Sequence, residues 1–232
     1  MTLKRIENII STSIVSFLII AVTSCNNKAE NQSELAPIKY LALGDSYTIG
    51  QGIETIESWP MQLGVKLSEN GFSVEKNEII AQTGWETTDL LNALADSSLE
   101  DYNLVSLLIG VNNQYSNQPF ETYTTEFDIL LSQAIDLAGP TRVFVVSIPD
   151  YGVTPFGSSN SENIALELDA YNAYAASKCD SLNIAYINIT GISRQLGASD
   201  GALANDNLHP SSFQYGKWVE EILPIVLEIL EK

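Results

Sequence analysis

Histidine is almost missing from this chain: His209 is the only one in 232 residues. Cysteine occurs twice, at Cys25 and Cys179. So small a supply of imidazole and thiolate cannot assemble the usual zinc sites, and no metal or other cofactor is implied. Two cysteines also cannot build the disulfide framework of a small secreted scaffold. Basic residues are scarce, 11 Lys and Arg against 29 Asp and Glu, for a formal charge of −18. Nucleic acid needs a Lys/Arg surface to meet its phosphates, so this balance argues against it as a partner. It also disfavours a polyanionic cofactor. Most of the carboxylates read as a solvated surface that keeps the protein soluble. What remains is a composition 45% hydrophobic, suited to a packed globule. A chain of this length supports one α/β core and is short for two domains.

The N-terminus has its own pattern. Lys4 and Arg5 precede an apolar stretch, Ile14 to Val22, which is too short for a comfortable membrane span. Val22-Thr23-Ser24-Cys25 then closes it with small residues before a cysteine. The order is that of an export signal, and the cysteine resembles the lipobox of bacterial lipoproteins. That resemblance implies a signal peptide over residues 1–24 and a lipid on Cys25; a membrane anchor or a chance cysteine is the alternative. Residues 25–36 are polar and aperiodic and read as a tether, with the domain following over 37–232. A lipid there places the domain outside the cytoplasm, anchored to a membrane it does not cross. Asn26 weakly favours the outer membrane over a periplasm-facing inner one. Cys179, left without an internal partner, falls among Ala175, Ala176 and Leu182 and suits the core.

Five short apolar runs are expected as strands: Ile38–Leu43, Val74–Ala81, Leu104–Ile109, Arg142–Ile148 and Ile184–Ile189. Most are continuously apolar, as in a sheet covered on both faces. Glu75, Lys76, Asn77 and Glu78 interrupt the second, which therefore suits an edge. Helical patterns lie between them. Ser58 is a candidate cap with Pro60 in the first turn, and Asn70-Gly71 a stop. Thr87 or Thr88 opens a second helix, Pro119 a third that Gly139-Pro140 stops, and Asn160 or Ser161 a fourth. The last runs from about Ser212 toward Leu230, with a bend expected at Pro224. This alternation predicts an α/β fold with a parallel sheet between two helical layers. Ligands in such folds bind at the carboxyl ends of the strands.

Three loops after predicted strands carry chemistry-bearing residues. Ser46 follows the first in Gly44-Asp45-Ser46, Gly84 the second in Gln82-Thr83-Gly84-Trp85, and Asn112 the third in Gly110-Val111-Asn112-Asn113. Each alone is ambiguous: a structural serine, a loop glycine or a turn asparagine is the commoner occurrence. Near the other end, Asp206-Asn207-Leu208-His209-Pro210 puts a carboxylate three residues before the imidazole, a spacing that lets it accept from Nδ1 and leave Nε2 free. If the chain does base-assisted serine chemistry, His209 has no competitor.

The order of these blocks resembles the SGNH, or GDSL-type, serine hydrolases over essentially the whole domain. The resemblance implies a flavodoxin-like three-layer α/β/α fold with a five-stranded parallel sheet. It implies Ser46 as nucleophile, His209 as general base and Asp206 as its partner, with an oxyanion hole from the N–H groups of Ser46 and Gly84 and the Asn112 side chain. Two residues depart from the family pattern: Tyr47 replaces the usual leucine, and Asn113 stands where aspartate is common. The stretch Ile148-Pro149-Asp150-Tyr151-Gly152 is a further candidate lining. The implied activity is hydrolysis of a small-molecule carboxylic ester through an acyl-enzyme. Lysophospholipid or thioester hydrolysis, removal of acetyl groups from carbohydrate, and a non-catalytic binding lipoprotein are the alternatives. A flavodoxin-like electron carrier would need a phosphate-cradling loop after the first strand, and Gly-Asp-Ser-Tyr-Thr-Ile-Gly is a poor one.

Overall fold

The structure, a computed structural model, describes residues 36–231 together with Thr2. The expected signal peptide, Cys25 and all of the tether but Ala36 lie outside the described residues. Five strands form one parallel sheet: β1 (Ile38–Gly44), β2 (Val74–Ala81), β3 (Leu104–Leu108), β4 (Val143–Val146) and β5 (Ala185–Ile187). Their spatial order is β2-β1-β3-β4-β5, the order of a flavodoxin-like sheet. The chain leaves β1 in one direction to make β2, then returns past it to make β3. The loops after β1 and β3 therefore diverge and open a crevice at the carboxyl edge.

Among the described residues eight α-helices connect and cover the strands: α1 (Ser46–Ile49), α2 (Trp59–Glu69), α3 (Thr87–Ala95), α4 (Val111–Tyr115), α5 (Phe120–Ala138), α6 (Ser161–Ser181), α7 (Thr190–Leu196) and α8 (Ser212–Leu230). On one side α2 packs against α8; on the other α3 packs on α5 and α5 on α6. Both layers bury residues at helical spacing, Trp59, Leu63 and Leu67 on α2 and Tyr215, Trp218, Ile222 and Val226 on α8. Covered on both faces, β1 and β3 are almost wholly buried, whereas β2, at the edge with its charged residues, is only partly so. Cys179 is completely buried on the inner face of α6, and burial pushes its thiol up to about 12. It is an inert core residue.

The helix limits fall where the sequence pattern places them, and the contacts at their ends add detail. α3 opens at Thr87 as expected, with Glu86 as its cap: Asp89 accepts from the Glu86 backbone N–H at 2.9 Å. Thr87 is thereby free to bond elsewhere. Ser58 precedes α2 as expected, but its side chain makes no capping bond; its carbonyl accepts from the Gln62 N–H instead. α8 continues through Pro224, where buried Ile222 and Val226 on either side keep the helix packed. The short α4 and α7 have too few turns for a periodic signal.

Gly44 closes β1 where the chain turns into α1. A Cβ there would lie 2.1 Å from the Thr48 hydroxyl oxygen and 2.4 Å from the Leu108 carbonyl oxygen. The glycine is thus required by close packing of α1 on the end of β3. Gly44→Ala is expected to lower stability by about 1–3 kcal/mol, measured by urea unfolding. A variant as stable as the wild type would contradict this packing.

Candidate active site

The β1–α1 turn begins the site. Asp45 is completely buried, and its Oδ1 accepts from the Tyr47 N–H at 3.0 Å, capping α1. The cap fixes the next residue, Ser46, as the first of the helix, 4% exposed. First-turn N–H groups have no intrahelical acceptor, and that of Ser46 donates to nothing else among the described residues.

After β2, Gly84 has φ +84°, and a Cβ there would meet nothing within 4 Å. Backbone conformation, not crowding, calls for glycine. Its N–H is also uncommitted among the described residues. After β3, Asn112 donates from Nδ2 to the Trp85 carbonyl at 2.9 Å. This bond ties the third loop to the second beside Gly84, and one N–H of the amide is left over. Neighbouring Asn113 is completely buried: its Oδ1 accepts from the Thr87 N–H at 3.0 Å and its Nδ2 donates to the Thr87 hydroxyl at 2.7 Å. It joins the starts of α3 and α4.

His209 arrives on a tight turn before α8, closed by a bridge between Leu203 and Pro210 and by the Ala204 N–H on the His209 carbonyl at 2.8 Å. Asp206 organises that turn. Its Oδ1 accepts from the N–H groups of Leu208 and His209, each at 3.0 Å, and its Oδ2 lies 2.7 Å from His209 Nδ1. With Nδ1 engaged, Nε2 is the ring nitrogen left for other work. The ring packs against Tyr47, centroids 5.4 Å apart, and Tyr47 against Trp218 at 6.4 Å. The tyrosine in the family's leucine position thus backs the imidazole. Desolvation, followed by the nearby Asp45 carboxyl, raises its phenol well above the usual range, so it stays neutral.

Ser46, Gly84, Asn112 and His209 line one open cleft of about 160 Å³. Asp206 stands behind the histidine. No hydrogen bond joins Ser46 Oγ to the imidazole among the described residues, and in unliganded sites such bonds commonly tighten only when substrate binds. The carboxyls of Asp45 and Asp206 are shifted in opposite directions. For Asp206, partial burial opposes ionisation, yet the bonds from the His209 ring and from two backbone N–H groups outweigh it and lower its pKa. For Asp45, burial dominates the Tyr47 N–H bond and raises the carboxyl to about 7, and its Oδ2 has no partner. No group of His, Cys, Asp and Glu suited to a metal occurs among the described residues.

From the Ile148–Gly152 stretch, Tyr151 reaches this cleft; Pro149 and Asp150 line a much smaller neighbouring one. Sequence reasoning missed Tyr115 and Phe156, which also line it. Tyr115 sits three residues past Asn112 on the unpredicted α4, and nothing in the sequence around Phe156 marks it.

A family model described as GDSL-like lipase/acylhydrolase matches residues 42–216. No curated protein sequence matches the chain. Solved structures similar to it include an extracellular lipase from Streptomyces rimosus, at 18% identity and TM-score 0.64, covering 83% of this chain and 99% of that one. Phospholipase A1 from Streptomyces albidoflavus is similar at 20% identity, TM-score 0.64 and the same coverage. A psychrotrophic esterase from a Pseudoalteromonas species, in a structure inhibited by monoethylphosphonate, is similar at 16% identity and TM-score 0.61, over 84% and 99% of the two chains. At these identities the likeness is one of fold.

The buried Asp45 carboxyl predicts a pH signature. A folded-state pKa above the unfolded value means that the native state holds its proton longer. Its stability contribution is therefore present at low pH and is lost as pH rises from about 4 to about 7. Asp45→Asn, which keeps the cap acceptor, should gain Tm relative to wild type across that window, with the difference level above it. Parallel Tm–pH curves for the two proteins would refute the assignment.

Proposed function

Because this chain belongs to the GDSL-like lipase/acylhydrolase family and is a carboxylic ester hydrolase, we propose that Ser46, His209 and Asp206 form its catalytic triad. The observation that carries the proposal is the 2.7 Å bond from His209 Nδ1 to Asp206, on an imidazole that shares one cleft with Ser46. Asp206 fixes the tautomer and balances the charge that His209 gains. His209 Nε2 takes the proton from Ser46 as Oγ attacks the ester carbonyl. The oxyanion is met by the N–H groups of Ser46 and Gly84 and by the Asn112 amide, which Trp85 holds in place. Collapse expels the alcohol with the proton from His209. Water, deprotonated by the same imidazole, then releases the acid. No Lys or Arg lines the cleft, which favours a neutral ester over an anionic one.

Ser46→Ala is expected to lower kcat by about 10⁴–10⁶ and to abolish labelling by a fluorophosphonate. Asn112→Ala should cost about 10²–10³, the worth of one oxyanion donor. Near-full esterase activity in Ser46→Ala would overturn the triad.

We also propose export and lipidation at Cys25, supported by the basic, apolar and small-residue order of residues 1–25. The domain would then act outside the cytoplasm on the end of a polar tether. The wild type is expected in the membrane fraction of a bacterial host and Cys25→Ser outside it. Equal distribution of the two would reject the anchor.

A further inference from the structure

Three aromatic rings line the cleft beside Ser46. Tyr115 lies 6.2 Å from Tyr151 and 5.7 Å from Phe156, and Tyr151 lies 6.2 Å from Phe156, centroid to centroid. These are contact separations for aromatic pairs, so the three make a continuous wall with no gap for an alkyl chain to pass between them. Tyr115 and Phe156 are 55% and 51% exposed. Large apolar rings left half in water beside a reactive serine are the mark of a ligand surface.

Tyr151 and the loop that carries it are tied in place. The Tyr151 hydroxyl donates to Gln114 Oε1 at 2.9 Å, and Gln114 Nε2 donates to Glu167 at 2.6 Å. On its other flank, the nearly fully buried Asp150 accepts from Arg194 Nε and from the Gly152 N–H, each at 2.8 Å, while its own N–H donates to Ser193 Oγ at 2.9 Å. Arg194 in turn reaches Asp169 on α6 at 2.8 Å. Thr154 folds the following loop back, its hydroxyl donating to the Tyr151 carbonyl at 2.7 Å, which brings Phe156 over Tyr151. The buried Asp150 carboxylate keeps its partners, since losing them would strand its charge.

The cleft measures about 160 Å³. A protein cavity of about 150 Å³ with apolar lining accommodates benzene. From the volume, the ring contacts and the fixed position of Tyr151 we infer that the site selects esters whose acyl group is short or a single aromatic ring, and that Tyr115, Tyr151 and Phe156 set the limit. The inference rests on the assignment of Ser46 above. Longer acyl chains must climb over the wall into water and forgo its contact.

The experiment compares 4-nitrophenyl acetate, butyrate, benzoate and decanoate below micelle formation, with wild type, Tyr115→Ala and Phe156→Ala. Fluorophosphonate labelling of the wild type is run alongside. Wild-type kcat/KM for butyrate and benzoate should exceed that for decanoate by about tenfold or more, and each truncation should raise the decanoate-to-butyrate ratio by about tenfold. The ratio is internal to each variant, so a partly folded sample does not alter it. A wild type that prefers decanoate, or ratios unmoved in both variants, would overturn the size limit while a labelled Ser46 leaves the triad standing. A wild type whose Ser46 does not label would overturn the triad and the limit together.

Discussion

A single carboxylate, Asp206, holds the candidate site in its geometry. It accepts from two backbone N–H groups with one oxygen and engages the imidazole with the other. The same bonds that fold the turn before α8 therefore also orient the only histidine of the chain and keep the carboxylate charged. Turn stability and imidazole orientation cannot be separated here. Tyr47 closes the arrangement from behind, since its ring meets the imidazole and Trp218 beyond it. Tyr47 thus links Ser46, its neighbour in the chain, with His209 and the α8 core.

The sheet order explains why residues more than 160 positions apart in sequence come to share a cleft. The reversal of direction at β1 leaves an opening at its carboxyl end, between the loops that follow β1 and β3. Ser46 enters from the first of these loops and Asn112 from the other, while the turn before α8 brings in His209. Gly84 arrives on the edge side, from the loop after β2. Asn112 and Asn113 then lock loops together through Trp85 and Thr87. The Asn112 amide proposed as an oxyanion donor is thus held by a bond made before any substrate arrives, as preorganised stabilisation requires.

Much of this was legible in the sequence, because the strongest signals there come from burial. Short apolar runs marked all five strands, most of them continuous, and the polar interruptions in Val74–Ala81 marked the edge. The helical spacing of Ile164, Leu168, Tyr171, Ala175 and Cys179 gave the inner face of α6, all five of which are buried. Ser46, Gly84, Asn112 and His209 were legible because each follows a strand or precedes a helix in a recurrent order, and all four line the cleft. What was not legible depends on contacts between distant residues. Thr87 opens α3 as its pattern suggests, but nothing local announces that it binds Asn113, 26 residues away. The Asp150–Arg194–Asp169 ties and the Tyr115–Tyr151–Phe156 wall join four separate segments, and no local pattern announces them.

The central claim is that the Ser46 hydroxyl and the His209 imidazole act as one unit. A double-mutant cycle in kcat/KM, with Ser46→Ala, His209→Ala and the pair combined, tests it most directly. If they act together, either single change removes nearly all that the unit supplies, and the double variant is about as active as each single one. Losses that simply multiply in the double variant would mean that the two side chains act independently, and would contradict the account.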